Sequence, residues 1–195
     1  MKNSVKLPAV LAVSLLLIFA QTAGAFFAKS LSLFAYAAVI IAVSFSALPS
    51  IINTFSAGGK AFVRAQFKAL LINSVLLTFL SLFIICKSFI NLQQSLEINI
   101  ALTCWTAFAG FFGLCVCSAI LFSAIKSGKP FKMLFFKYFS AAALSFFVII
   151  GTVFYYLKDL YFLDSAISAA LAVLAIVQSA ALIRFSVNFL RKKTI

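Results

Sequence analysis

The sequence predicts an all-α fold, a polytopic six-helix transmembrane bundle with both termini cytoplasmic. Three observations predict it. Hydrophobic residues make up 65% of the 195 residues, well above the near-half typical of a soluble globular chain. The apolar residues gather into six stretches, about 8–28, 31–53, 69–90, 98–125, 133–157 and 161–183, each able or nearly able to cross a hydrocarbon core of about 30 Å as a helix. The charges between the stretches then alternate. Lys2, Lys6, Lys60, Arg64, Lys68, Lys126, Lys129, Lys132, Lys137, Arg184, Arg191, Lys192 and Lys193 fall on one side, whereas Lys29, Lys87 and Lys158 share the other with Glu97, Asp159 and Asp164. The positive-inside rule puts the basic side in the cytoplasm and makes residues 1–195 a single six-span domain, of the kind expected in a bacterial cytoplasmic (inner) membrane.

The first stretch begins like a targeting segment. Lys2 and Lys6 precede an apolar run, and Ala23-Gly24-Ala25 has the small-x-small form of a signal-peptidase site. The run continues through Phe26, Phe27 and Ala28, which suits an uncleaved helix; cleavage would leave five spans in unchanged orientations. The second stretch carries Pro49 near its cytoplasmic end, where a kink or a stop is expected. Gly58-Gly59 then leads to Lys60, Arg64 and Lys68, whose spacing of four makes one stripe at the inner end of the third helix.

Asn91 to Glu97 reads as a short outer loop, and Lys126-Ser127-Gly128-Lys129-Pro130 as a turn between the fourth and fifth stretches. Small residues (Ala109, Gly110 and Gly113; Ala141, Ala142 and Ala143; Ser165, Ala166, Ser168, Ala169, Ala170, Ala172 and Ala175) predict close helix packing in the last three stretches. Asp164 is placed to cap the sixth helix by accepting from the N–H of Ala166 or Ile167.

Function classes fall away in turn. A net charge of +13 would suit nucleic acid, but these charges sit at the ends of apolar spans, where the lipid bilayer is the partner. The 25 phenylalanines read as lipid-facing and interhelical packing material rather than stacking platforms. There is no histidine, and all three acids lie at the outer boundary, so the spans lack the ionisable residues that mark an ion path. Lys137 is placed to snorkel to the inner interface. Cys86, Cys104, Cys115 and Cys117 read as small buried hydrophobes; Cys115 and Cys117, two apart, cannot share one ion on a helix. No nucleophile, base and acid stand at usable spacing, so the sequence reads as no enzyme, with no cofactor.

Several landmarks nevertheless occur in a familiar order. Gly24 is followed by Ser30-Leu31-Ser32-Leu33; then come Gly59, Arg64, Ala69-Leu70-Leu71 and Asn73; then Asp164-Ser165-Ala166-Ile167-Ser168 and Arg184-Phe185-Ser186-Val187-Asn188-Phe189-Leu190. Over residues 9–190 this resembles the transmembrane half of the cation diffusion facilitator family, the zinc and divalent-cation efflux transporters. The resemblance implies six spans, with helices one, two, four and five packed together and three and six paired beside them. It also implies a metal site on helices two and five, at positions that are Val39, Val43, Lys137 and Ala141 here. None of the four is a usable zinc ligand, so the usual metal ligands are missing and the implied site is degenerate.

The family's cytoplasmic domain and histidine-rich loop have no counterpart in these residues. The sequence therefore leaves two readings: a cation-efflux-like protein without its metal chemistry, or an unrelated small six-span protein acting as a transporter subunit or structural partner. Homo- and hetero-oligomers are both open.

Overall fold

A computed structural model describes residues 3–55, 60–92, 98–123, 129–158 and 162–192. Six helices occupy the six apolar stretches: α1 (Asn3–Ala28), α2 (Leu31–Phe55), α3 (Lys60–Asn91), α4 (Ile100–Phe122), α5 (Lys129–Lys158) and α6 (Phe162–Lys192). Five of them contain apolar segments of membrane length, and α2 contributes the apolar segment Leu31–Ala47. Large side chains such as Leu16, Phe19, Phe79, Trp105 and Phe147 point outward, which a lipid solvent permits and water would not. The chain is a polytopic, six-span α-helical membrane protein.

The helices form two units. In one, α1, α2, α5 and α4 make a ring in which each helix touches the next. In the other, α3 pairs with α6 along most of its length, and α6 lies against α2 and α5. This places α2 at the centre, in contact with α1, α3, α5 and α6. Its burial follows: Leu33, Ala35, Tyr36, Ala37, Ala38, Val39, Ile40, Ala42 and Val43 are enclosed on every side of the helix.

The outer helices instead bury one seam each. On α3 the buried residues are Phe67, Leu70, Ser74, Leu77, Ser81, Ile84, Ser88 and Asn91, in strictly alternating steps of three and four. On α6 they include Ser165, Ser168, Ala172, Ala175, Ser179, Leu182 and Ser186, with the same alternation. A seam averaging 3.5 residues per turn is that of a left-handed coiled coil. The pair is antiparallel, since Phe67 stacks on Phe189, Thr78 Oγ1 meets Ser179 Oγ at 2.8 Å and Ser88 Oγ meets Ser168 Oγ at 2.6 Å.

Several local expectations change. α2 runs through Pro49 to Phe55 rather than stopping there. Lys129 and Pro130 belong to the first turn of α5 and not to the preceding turn, because proline's missing N–H costs nothing at a helix start. The basic stripe does open a helix, as α3 begins at Lys60. Ala109, Ala143, Ala166 and Ala170 are exposed, so only part of the small-residue set lies between helices. Of the cysteines, Cys117 is buried, Cys104 and Cys115 are half-buried, and Cys86 faces outward. Gly58-Gly59, the 126–128 part of the turn, Glu97 and Asp159 lie outside the described residues.

Candidate functional site

The resemblance directs attention to α2 and α5, and the polar residues inside the ring lie at two levels there. At the level nearer Asp164, Gln21 of α1 is fully buried and its Nε2 donates to the Thr106 carbonyl oxygen of α4. Tyr36 of α2 is equally buried and reaches across the ring to Gly110 of α4. A Cβ added at Gly110 would lie 2.6 Å from Gln21 Nε2 and 2.8 Å from Tyr36 Cε1, so the absent side chain is what lets both side chains pack against α4. Gly24, one turn along α1, likewise makes room for α4, since a Cβ there would overlap the Thr106 methyl. Two atoms at this level, Gln21 Oε1 and Tyr36 Oη, are buried without a hydrogen-bond partner.

At the second level, Ser14 of α1 and Tyr138 of α5 share a hydrogen bond of 3.1 Å across the other diagonal of the ring. Ser14 Oγ also donates to the Val10 carbonyl at 2.7 Å, and Cys117 Sγ of α4 approaches that same carbonyl at 3.8 Å. A hydroxyl that both donates and accepts satisfies two elements at once, which is how a tyrosine can be fully enclosed in a helical bundle.

The positions implied for metal lie along these same stretches of α2 and α5. Helical spacing puts Val39 and Val43 on the Tyr36 face of α2, and Ala141 on the face of α5 that carries Tyr138 and Ser145. All three have no exposed surface. Lys137 is half-buried at the edge of that seam. Val39, Val43 and Ala141 therefore bring aliphatic side chains to the interior of the ring, flanked by the hydroxyl- and amide-bearing residues of the two levels. Among the described residues, no three histidine, cysteine, aspartate or glutamate side chains gather into a metal-sized group. Hydroxyls and an amide at these levels can bind water or fix helix register.

The acid singled out by sequence does something different from its expected role. Asp164 lies in the first turn of α6 but caps α2 rather than its own helix. Its Oδ2 accepts from the Leu31 backbone N–H at 2.9 Å, and its Oδ1 accepts from Ser32 Oγ at 2.6 Å, Ser30 Oγ at 2.8 Å and the Ser32 N–H at 3.3 Å. Ser30 Oγ in turn accepts from the Leu33 N–H at 3.4 Å, the ordinary N-cap bond. One carboxylate thus sits at two helix N-termini, where both dipoles favour it, and its bonds are charge-assisted.

Nearby, α1 ends with Lys29 in the left-handed conformation (φ 55°), and the Asn99 N–H binds the Ala28 carbonyl at 3.0 Å. Asn99 Oδ1 caps α4 through the Leu102 N–H at 3.1 Å. The starts of α2, α4 and α6 and the end of α1 are tied together at this end of the bundle.

Sequence reasoning did not identify Gln21, Tyr36, Ser14 or Tyr138. It also passed over the heptad of Ser74, Ser81 and Ser88. The serine signal was present as a period of seven in an apolar helix; the ring residues carry no period that separates them from other mid-span polar residues. No family model matches the chain, and no curated protein matches it significantly.

Proposed function

We propose that this chain is a small non-catalytic six-span membrane protein that works as a structural partner or transporter subunit, and not as a stand-alone exporter of divalent cations. The observation that carries this reading is the aliphatic lining of the ring at the implied metal positions. Val39, Val43 and Ala141 are enclosed, and Lys137 beside them would repel a divalent ion. The charge sorting supports a bacterial cytoplasmic membrane with both termini inside, and the lipid bilayer rather than nucleic acid as the partner of the basic residues.

Descent from cation-efflux transporters is the second reading, and two observations favour it. The four-helix ring with α3 and α6 paired beside it follows the partition that the resemblance implies. The landmark stretches Ser30-Leu31-Ser32-Leu33 and Asp164-Ser165-Ala166-Ile167-Ser168, far apart in sequence, meet through the Asp164 carboxylate. Under this reading the architecture survives without the metal chemistry.

Mild detergent extraction with in-membrane cross-linking and mass spectrometry, paired with zinc and manganese flux in proteoliposomes, tests the proposal. A stoichiometric protein partner, or a second copy, with flux at the level of empty vesicles is expected. A lone monomer that carries metal, with flux abolished by Lys137→Ala, would restore the transporter reading.

A further inference from the structure

Three polar atoms on the α3–α6 seam are buried without a hydrogen-bond partner among the described residues: Ser81 Oγ and Asn91 Oδ1 of α3, and Ser186 Oγ of α6. Inside a membrane such atoms have no water to turn to, so each is costly. Their surroundings follow from the contacts that set the register of the pair, Phe67 on Phe189, Thr78 on Ser179 and Ser88 on Ser168. Counted along the two seams from these contacts, Leu70 faces Ser186, Ser74 faces Leu182 and Ser81 faces Ala175. Hydroxyls are set against aliphatic side chains at all three places.

Because both seams alternate steps of three and four, moving α3 by one step along α6 sets seam residues opposite seam residues again. One step toward the N-terminus of α3, about 5 Å at 1.5 Å per residue, brings Ser81 opposite Ser179, Ser74 opposite Ser186 and Asn91 opposite Ser168. Each unmet atom then faces a hydroxyl. The pairs Thr78–Ser179 and Ser88–Ser168 are given up in exchange, and Leu77 comes to face Leu182. A step the other way does not help, since it leaves Ser81 against Ala172 and Ser186 against Phe67.

We infer that α3 is a two-register element, sliding by one seam step along α6 between the register described and one in which Ser81, Ser186 and Asn91 are paired. Discrete steps of one helix past another are a known form of switching. α6 is the fixed member, because its first turn is tied to the start of α2 through Asp164. The apolar segment Phe67–Asn91 has 25 residues. At about 37 Å it exceeds a hydrocarbon core of about 30 Å by more than the slide, so α3 spans the membrane in both registers. Arg64 and Lys68 travel with it, and the basic end of α3 is what moves against the bilayer surface. The slide needs neither metal nor partner and stands apart from the proposed function.

The test measures the distance between nitroxides at Phe89→Cys on α3 and Ala181→Cys on α6, both exposed positions, by pulsed electron spin resonance. It uses the full chain in liposomes with its four native cysteines replaced by serine, and helical content shows that each variant folds. Two distances about 4 Å apart are expected, the shorter belonging to the second register. Ser81→Ala with Ser186→Ala removes two pairs of the second register and should lower the share of the shorter distance. Thr78→Val with Ser88→Ala removes the two pairs of the first and should raise it. Each double variant should change the ratio by roughly sevenfold, about threefold for each interhelical hydrogen bond in a membrane. A single, longer distance in all three proteins would overturn the inference. So would a ratio that neither double variant changes, or shifts of the same sign in both, since a static seam gives the two sets of hydroxyls no opposed effect.

Discussion

The α3–α6 pair and the four-helix ring solve the same problem in different ways. Both pack helices in a solvent where apolar burial gives no advantage over lipid, so both rely on close approach and on hydrogen bonds between helices. The pair does so by repetition: one seam per helix, alternating steps of three and four, and hydroxyl pairs at Thr78–Ser179 and Ser88–Ser168. The ring does so by single, unrepeated contacts across its diagonals, from Ser14 to Tyr138 and from Tyr36 to Gly110, and it leaves Gln21 Oε1 and Tyr36 Oη unpaired. Repetition spreads the cost of any one defect. Single contacts concentrate it, so substitutions in the ring and at the clamp that closes it should weigh more than those in the pair.

The largest effect is expected where the two units are joined. Asp164→Ala strips the start of α2 of its acceptor and leaves the Leu31 N–H and two serine hydroxyls to find others, a loss of about 3 kcal/mol. Asp164→Asn, which keeps an acceptor without the charge, should recover roughly half of that. Unfolding of the purified protein in mixed detergent micelles, followed by circular dichroism, measures both. Equal losses for the two variants would mean that charge and not hydrogen bonding holds the clamp.

Next comes the ring itself. Gly110→Ala places a methyl against Gln21 and Tyr36 and should cost about 1–3 kcal/mol by overpacking. The tyrosines then separate paired from unpaired hydroxyls within one unit. Tyr138→Phe removes the bond to Ser14 and should lose about 1 kcal/mol, while Tyr36→Phe removes a buried hydroxyl without a partner and should be neutral or stabilising. The same assay decides, and a larger loss at Tyr36 than at Tyr138 would place a water or ligand on the Tyr36 hydroxyl.

The smallest effects belong to the pair. Ser88→Ala and Ser168→Ala should couple by about 0.6 kcal/mol in a double-mutant cycle, the usual size of such a bond between membrane helices. Ser81, one heptad away, is buried without a partner, and Ser81→Ala should cost nothing. If Ser81→Ala and Ser88→Ala are equally harmful, packing of the small side chain matters and the hydroxyl does not.

How far the sequence could be read follows the same division. Six helices were legible because hydropathy and charge placement are properties of whole stretches; Pro49 was not enough to end α2, and Pro130 falls in the first turn of α5. The central place of α2 was not legible, since in lipid an enclosed helix and an exposed one are equally apolar. Its distinguishing mark is the run of small residues at Ala35, Ala37, Ala38 and Ala42. Asp164 was recognised as a capping residue but assigned to its own helix, because a carboxylate that caps locally and one that caps a helix 130 residues away look the same in sequence. The seam of α3 was fully present as a seven-residue serine period, whereas Gln21 and Tyr36 become meaningful only once Gly110 is seen to lie between them.

Aliphatic residues at Val39, Val43 and Ala141 stand where a metal site would need ligands, and metal binding tests this most directly. Titration calorimetry with zinc, cadmium and manganese, on protein whose four cysteines have been replaced by serine, should give no saturable heat. One stoichiometric site tighter than about 10 µM, roughly 7 kcal/mol of binding free energy, would contradict it, because no shell of ligands around Val39, Val43, Lys137 and Ala141 could supply that affinity.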